Sequence, residues 1–379
     1  MAYAGGFIGP LAGNTIFALV GHLKDAFNAT VGMVYLSITV YMIPFVIFQL
    51  FSGTISDYLG RKVVATSGFL VYSVGSVLCG WATDLNVFLG GRLIQGLGFA
   101  FVTPVLHAIV GDYAREDKRG ISMGIFGGVT AASVSTGPVL AGALSFIDWR
   151  LTFYLIAGLA FAVFLAIQMA FRGARAEKIP KRRREEVSVF EIATDRRVIA
   201  LCLAGFLAFF SFIGVVSYTS DTLEESPYHY DGLTIGLVLF SGGAGGVFIS
   251  PLAGYLVDRI GRLRTGIIGF FGTSVGMPIF IFSTDLWHFI LAMVVVGCAA
   301  AAIWASLLTL TVELVPERKG AVASLFNSSR FSGYALSPVL FAGIYFSMGV
   351  RPIYVAGILL AFVGVAIMLV MKRLLARRI

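Results

Sequence analysis

Two arginines stand inside otherwise apolar stretches of the sequence. Arg92 lies about 9 Å from one end of the run 86–111, and Arg330 lies about 15 Å inside the run 321–346, at about 1.5 Å per helical residue. A guanidinium within a bilayer is costly and must face protein or water, so each arginine is a candidate for ligand binding or for proton coupling. For Arg92 the alternative is that its side chain extends to the outer headgroups, which its depth allows.

A polar and aromatic cluster surrounds Arg330 in the sequence. Asn327 precedes it by about one helical turn and Tyr334 follows by about one turn, so the three residues share a helix face. This surface suits a planar organic molecule, with the guanidinium as a polar anchor. Together with Asn14, the polar residue within the first apolar run, Asn327, Arg330 and Tyr334 are predicted to line a substrate cavity.

A ten-residue motif occurs twice in the chain. Gly53–Lys62 recurs as Gly254–Leu263, 201 positions later. The shared positions are glycine, aspartate, glycine and arginine: Gly53, Asp57, Gly60 and Arg61, then Gly254, Asp258, Gly261 and Arg262. Further pairs share this offset or one of 200: Gly96 with Gly297, Asp112 with Glu313, Phe126 with Phe326, and Pro138 with Pro338. A repeat of half the chain in a membrane protein predicts two similar halves with the substrate between them at mid-membrane.

The composition is that of a membrane protein. Hydrophobic residues make up 58% of the chain and charged residues 13%, whereas soluble domains carry about 25% charged residues. Twelve apolar runs are each long enough to cross a bilayer as a helix of about 20 residues: 4–23, 31–55, 65–83, 86–111, 120–145, 150–171, 198–220, 232–256, 265–283, 286–312, 321–346 and 351–371. We predict an all-α membrane protein with twelve transmembrane helices in two pseudo-symmetric halves of six, residues 1–171 and 198–379, joined by a cytoplasmic linker at 172–197.

The basic residues predict the orientation. Of the 28 lysines and arginines, 23 fall in segments that lie on one side of the membrane if the N-terminus is cytoplasmic. Such an excess is typical of cytoplasmic loops, so both termini are predicted to be cytoplasmic. The net charge of +8 therefore orients the chain and gives no reason to expect a nucleic-acid partner. We expect a multi-pass protein of a cell membrane, the cytoplasmic membrane of a prokaryote, that works as a monomer among membrane lipids.

Motifs of other function classes are absent from the sequence. The three cysteines lie inside predicted spans and have no metal-ligand spacing, and no phosphate-binding loop or hydrolase motif occurs. We therefore expect no catalytic residue, no metal and no cofactor, and a protein that is not an enzyme. Transport would draw on a gradient of ions or substrate, with protons as the expected ion.

These residues identify a resemblance to the major facilitator superfamily over nearly the whole chain, nearest to its 12-span drug/proton antiporter branch. Gly53–Lys62 resembles the family's loop signature between spans two and three, and Gly254–Leu263 resembles its weaker copy. The resemblance implies two cytoplasmic latches that close the inner side when the protein is open outward. We name them the first latch (Asp57, Arg61 and Asp112) and the second latch (Asp258, Arg262 and Glu313).

Two further segments resemble signatures of proton-coupled members. Arg92, Gln95 and Gly96 in span four match a signature that implies a role in coupling. Span five resembles the antiporter signature at Gly124, Gly137, Pro138 and Gly142, with Ser133 and Ala141 in place of two of its glycines. Drug-exporting members often carry an acid within span one, where this chain has Asn14. Ordinary close packing of small residues is the alternative reading of span five.

The sequence leaves three functions open. The leading one is a secondary active transporter that moves a small organic molecule by alternating access, as proton-coupled efflux. The first alternative is a carrier of organic anions, by uptake or exchange, in which Arg92 and Arg330 face the cavity from opposite halves. The second is a sensor that binds a ligand without transporting it.

Overall fold

The computed structural model describes residues 2–51, 55, 59–113, 119–170 and 192–376; at residues 104, 107, 108, 111–113, 119–121, 123, 124, 317 and 319 it describes the backbone alone. Gly53 of the repeated motif and Asp57 of the first latch lie outside these ranges, and the side chain of Asp112 is not described. The described residues form α-helices joined by short turns. Their bounds are α1 Ala2–Asn14, α2 Val20–Phe27, α3 Val31–Phe48, α4 Arg61–Trp81, α5 Leu85–Tyr113, α6 Arg119–Ser145, α7 Arg150–Ala170, α8 Arg196–Glu224, α9 Gly232–Ile260, α10 Arg262–Ile281, α11 Leu286–Glu313, α12 Lys319–Met348 and α13 Arg351–Ala376.

Most of these helices are long and apolar enough to cross a membrane. Within the described residues, eleven helices meet this condition on their own, and the bent pair at the N-terminal end of the chain makes up to twelve. An all-helical membrane protein with eleven or twelve spans is therefore confirmed. The predicted orientation of the termini stays a prediction.

The first predicted span is broken rather than continuous. The segment Ala2–Ala18 bends by 70° against Val20–Phe27, with a 3₁₀ turn at Thr15–Ala18. The last carbonyls of a helix lack partners within it, and polar side chains compete for them. Here the Asn14 amide donates to the Pro10 carbonyl at 2.8 Å, and the Thr15 hydroxyl donates to the Ala12 carbonyl at 3.0 Å. The pattern of hydrophobic residues does not reveal this break, because apolar residues continue on both sides of it.

Contacts divide the chain into two compact units. Unit 1 is Met1–Glu185 with Asp231–Gly236, and unit 2 is Glu186–Tyr230 with Leu237–Ile379. In unit 1, α4 packs on α5 and α7, and α1 packs on α6; in unit 2, α10 packs on α11 and α13, and α8 packs on α12. Most of the predicted linker, residues 172–191 of 172–197, lies outside the described residues, so the division into two halves and a linker stays a prediction.

Glycines at corresponding positions allow close helix contact in both units. In unit 1 a Cβ on Gly96 of α5 would overlap the carbonyl oxygen of Tyr41 in α3. In unit 2 a Cβ on Gly297 of α11 would overlap the carbonyl oxygen of Gly242 in α9. Gly297 stands 201 positions after Gly96, and Gly242 stands 201 positions after Tyr41. The same contact between helix backbones therefore recurs in the two copies of the repeat.

Small residues of α6 face the backbone of α1 in unit 1. The Ser133 hydroxyl donates a hydrogen bond to the Phe7 carbonyl, and a Cβ on Gly137 would lie 2.6 Å from the Leu11 carbonyl oxygen. A serine in place of a glycine thus keeps the helices close and adds a hydrogen bond, which accounts for Ser133 in the antiporter-like motif.

In unit 2 the serine and the glycine exchange places. A Cβ on Gly333 of α12 would overlap the Phe206 carbonyl oxygen of α8, while the Ser337 hydroxyl donates to the Phe210 carbonyl at 2.6 Å. Gly333 and Ser337 stand 200 positions after the two residues that face α1. Each unit therefore joins this helix pair through one glycine and one serine.

The repeat also extends to the caps of helices. Asp84 accepts hydrogen bonds from the amides of Asn86 and Val87 at 2.9 and 3.1 Å, at the start of α5. Its counterpart Asp285 caps α11 by accepting from the amides of residues 287 and 288 at 3.0 and 3.2 Å. Such caps satisfy amides that begin a helix and would otherwise lack a partner.

We predict that Gly96→Ala destabilises the protein by about 1–3 kcal/mol, because the added methyl group meets the backbone of Tyr41, which cannot rotate away. Thermal unfolding of the purified protein in detergent measures the effect. Gly158→Ala on α7 is the control, since nothing lies within 4 Å of a Cβ there. Equal unfolding temperatures for the two variants would contradict the proposed close contact.

Candidate functional site

The repeated motif ends in the same turn in both units. Gly60 has φ of 91° and Gly261 has φ of 89°, in the region that glycine adopts without strain. Each glycine immediately precedes a helix, so Arg61 is the first residue of α4 and Arg262 is the first residue of α10. The turn thus fixes the position of the arginine in both copies.

The second latch is partly assembled. Nε of Arg262, at the start of α10, lies 2.5 Å from Oε2 of Glu313, at the end of α11, as an ion pair without the alignment of a hydrogen bond. The side chains are 41% and 40% exposed, and such pairs contribute about 0–1 kcal/mol. Asp258 is exposed and forms no ion pair with the described residues, so two of the three predicted members meet.

Arg92 lies in the packed interior of unit 1 with no exposed surface. Its Nη1 donates to Oε1 of Gln95 at 2.6 Å and to the Ala12 carbonyl at 3.2 Å, and Nε donates to the Ser37 carbonyl at 3.4 Å. Gln95 is also fully buried and donates in turn to the Ser76 hydroxyl at 2.8 Å. Two of the predicted coupling residues, Arg92 and Gln95, therefore form one network that joins α1, α3, α4 and α5.

The network surrounds the break in the first span. Ala12, whose carbonyl accepts from Arg92, lies three residues before the 3₁₀ turn. The Tyr41 ring covers the guanidinium, with its centroid 4.1 Å from Cζ, and the Tyr41 hydroxyl donates to the Gly9 carbonyl at 2.9 Å. Nη2 has no hydrogen-bond partner among the described residues. The network can therefore stabilise the bent conformation of the chain at this point.

Two expectations about Arg92 are wrong in this conformation. Its guanidinium does not extend to the headgroups, and it does not face a cavity, because buried backbone and side-chain groups surround it. The contacts of Arg92 with Tyr41 and Ser37, and of Gln95 with Ser76, have no signal in the sequence, since these residues lie on other helices and have no distinctive spacing.

Arg330 occupies an aromatic box in unit 2. Its Cζ lies 4.2 Å from the ring centroid of Trp304 and 4.2 Å from that of Phe331, with Phe209 at 5.1 Å and Phe326 at 6.0 Å. Rings at these distances attract a cation through their electron-rich faces. Phe326 and Phe331 flank Arg330 on its own helix, but Phe209 on α8 and Trp304 on α11 have no sequence signal that relates them to Arg330.

The polar contacts of Arg330 leave part of its guanidinium open. Nε donates to Oδ1 of Asn327 at 2.8 Å, as their spacing on one helix suggested. The side chain is partly buried, and its Nη groups make no hydrogen bond or ion pair with the described residues. The arrangement can therefore accept an oxygen atom of a ligand at the guanidinium edge. Tyr334 is buried on the same helix.

The remaining predicted positions are accounted for individually. Asn14 in unit 1 is 7% exposed and bonds to its own helix, as described above. Gly124, Gly137, Pro138 and Gly142 all lie on α6. Their involvement in a cavity or in coupling stays a prediction.

Sequence reasoning missed Asp221. It is 2% exposed and is the only buried carboxylate among the described residues. Its Oδ2 accepts a hydrogen bond from the Tyr345 hydroxyl at 2.6 Å, which joins α8 to α12. The predicted span ended at residue 220, whereas α8 continues to Glu224. An acid one residue beyond the apolar run 198–220 is the signal that the sequence contains.

The fold is that of a polytopic helical transporter. The nucleoside transporter NupG, solved in a mutant form, matches with a TM-score of 0.80 over 98% of this chain and 98% of its own, at 13% sequence identity. The Major Facilitator Superfamily profile matches residues 2–338, with a second match over residues 201–378. The chain therefore belongs to the Major Facilitator Superfamily, and the family resemblance read from the sequence is confirmed.

Relatives within the family carry several descriptions. The multidrug efflux protein YfmO of Bacillus subtilis (strain 168) is 25% identical over 355 residues, which cover 92% of this chain and 86% of that protein. The MFS-type transporter YceJ of the same organism is 24% identical, over 85% of this chain and 83% of its own. Citrate exporter 1 of Aspergillus niger is 28% identical, over 67% of this chain and 55% of its own.

We predict that Gln95→Leu lowers stability by about 1.5–3 kcal/mol, because it removes the side-chain acceptor of a buried guanidinium. Gln168→Leu is the control, since Gln168 is exposed on α7 and such a change is expected to stay within about 0.5 kcal/mol. Thermal unfolding in detergent compares the two. A Gln95→Leu protein as stable as the control would show that the network does not support the fold.

Proposed function

We propose that the chain is a secondary active transporter that exports a small organic molecule by alternating access, coupled to the entry of protons. The observation that carries this proposal is the aromatic box of Arg330. The rings attract the charge of Arg330, but its Nη groups have no hydrogen-bond partner among the described residues, so a binding role explains the residue better than packing alone.

The box suits a planar organic molecule. Trp304 and Phe331 lie at 4.2 Å from the guanidinium carbon and supply apolar ring surface, while the open edge of Arg330 supplies hydrogen-bond donors. Ligand sites commonly combine apolar and aromatic walls with a few convergent polar groups. Export is supported by two relatives whose names describe outward transport, a multidrug efflux protein and a citrate exporter.

The predicted orientation completes the proposal. The distribution of basic residues supports cytoplasmic termini. The proposal also places the chain in the cytoplasmic membrane of a prokaryote, where it acts as a monomer. Coupling to protons is supported by the resemblance of Arg92, Gln95 and Gly96 to a signature of proton-coupled members. No bound nucleotide is required, since the energy comes from the gradient.

The decisive experiment is flux in proteoliposomes with an imposed pH gradient. The probes are the cation tetraphenylphosphonium, the neutral compound chloramphenicol and the anion citrate. We expect the pH gradient to drive at least one of the three probes against its concentration gradient. Equilibration alone, without accumulation of any probe, would contradict proton-coupled transport.

A second candidate is a carrier of organic anions. The specific observation in its favour is that Arg330 forms no ion pair with an acid among the described residues, which leaves its charge available to a ligand. A carboxylate could bind edge-on to the guanidinium, the geometry in which arginine forms two parallel hydrogen bonds. The citrate exporter among the relatives is consistent with this candidate.

Arg330→Gln separates the two candidates. We expect it to preserve binding of tetraphenylphosphonium and chloramphenicol while altering their turnover, because neither needs a positive charge in the site. Calorimetric titration of wild type and variant measures binding, and Thr130→Gln on α6, at the corresponding position of the repeat, is the control. Loss of binding confined to citrate would establish the anion carrier instead.

The second latch yields a prediction on the conformational equilibrium. Arg262→Ala should shift populations measurably towards the inward-open state, by up to about fivefold, because an exposed ion pair contributes at most about 1 kcal/mol. Distances between spin labels on the cytoplasmic ends of the two halves report the populations. Arg264→Ala, on the same helix, is the control. Unchanged populations in Arg262→Ala would exclude a latch at this pair.

A further inference from the structure

We infer that Asp221 is the residue that carries the proton, and that its hydrogen bond to Tyr345 links its charge to the movement of α8 against α12. The inference rests on the proposed proton coupling and assigns a residue to it. Asp221 is the only buried carboxylate among the described residues. A buried carboxylate is costly unless it has hydrogen-bond partners, and Tyr345 supplies one here.

In the structure the Tyr345 hydroxyl donates and Oδ2 of Asp221 accepts, as a carboxylate would. The distance of 2.6 Å between the Tyr345 hydroxyl and Oδ2 of Asp221 lies within the range of about 2.5–2.7 Å typical of a hydroxyl that donates to an ionised oxygen. When the carboxylate binds a proton from water, one O–H bond forms and the negative charge is lost. The hydrogen bond from Tyr345 then loses its charge assistance, and the contact between α8 and α12 weakens.

The surroundings of Asp221 fit such a switch. Titratable and charged groups lie near it on its own helix and at the same end of the helices packed against α8. On and just after α8 they are Tyr218, Glu224 and Glu225; on the packed helices they are Tyr345 of α12, Arg351 and Tyr354 of α13, and Asp285 with His288 at the start of α11. Phenols and acids predominate immediately around the carboxylate. Asp221 stands three residues before the end of α8, about 5 Å along the helix, so water at that end can reach it once the helices separate.

The same helix pair carries the Arg330 site. Phe209 of α8 contacts Arg330 of α12, and twelve residues further along α8 lies Asp221. Between these two points the Ser337 hydroxyl donates to the Phe210 carbonyl at 2.6 Å, and the Tyr218 hydroxyl donates to the Pro338 carbonyl. A displacement between the two helices therefore acts on the binding site and the proton site together. This shared interface is a physical route by which substrate and proton can influence each other.

Infrared difference spectroscopy tests protonation without any substrate. In wild-type proteoliposomes stepped between about pH 8 and pH 5, we expect a protonated-carboxyl band that is absent in Asp221→Asn and shifted in Tyr345→Phe. Tyr354→Phe is the matched control, because it removes a buried hydroxyl that bonds to Thr219 at 2.9 Å. A band that persists in Asp221→Asn, or one that Tyr345→Phe leaves unshifted, would overturn the inference.

Transport measurements test the role of the proton. With whichever of tetraphenylphosphonium, chloramphenicol or citrate the wild type carries, Asp221→Asn should lose pH-driven flux and retain exchange of labelled for unlabelled probe. Tyr345→Phe, which keeps the ring, should shift the pH dependence of flux and serves if the first variant does not fold. Flux in Asp221→Asn that the pH gradient still drives would overturn the inference alone. A wild type without pH-driven flux would overturn the proposed coupling as well.

Discussion

Helix backbones in this protein approach one another where small residues face carbonyl oxygens, and the buried polar groups depend on that approach. At Gly96 in unit 1 and Gly297 in unit 2 no side chain fits between the helices. Serines take the place of glycines where a carbonyl can accept a hydrogen bond, as at Ser337. In a bilayer, where burying apolar side chains gives helices little reason to associate, such contacts and hydrogen bonds supply much of the packing energy.

The close contact of α3 with α5 also positions the polar network. Gly96 follows Gln95 directly, so the turn of α5 that touches the Tyr41 backbone also brings Gln95 and Arg92 against neighbouring helices. The guanidinium then meets the Ala12 carbonyl beside the break in the first span, with the Tyr41 ring over its face. One steric feature thus permits a buried charge, and the charge in turn supports a bent span.

A symmetric scaffold carries charged groups that are not symmetric. The repeat places Met293 at the position of Arg92 and Thr130 at the position of Arg330. Helix caps, glycine turns and backbone contacts occur in both units, whereas each buried charge occurs in one. Shared positions therefore maintain the fold, and unshared polar residues are where substrate binding and proton coupling are best sought.

The sequence by itself determined most of the helices, the repeat, the family and the turn glycines, because span length, hydrophobicity and positive φ are local properties, but it did not reveal the break in the first span. It also identified Arg92 and Arg330 as unusual, since any charge inside an apolar run is. Only the tertiary structure decided that Arg92 is sealed in a network, that Phe209 and Trp304 enclose Arg330, and that Asp221 is buried against Tyr345. Those facts depend on which helix faces meet. Residues more than a hundred positions apart come into contact there, and no local pattern records such a contact.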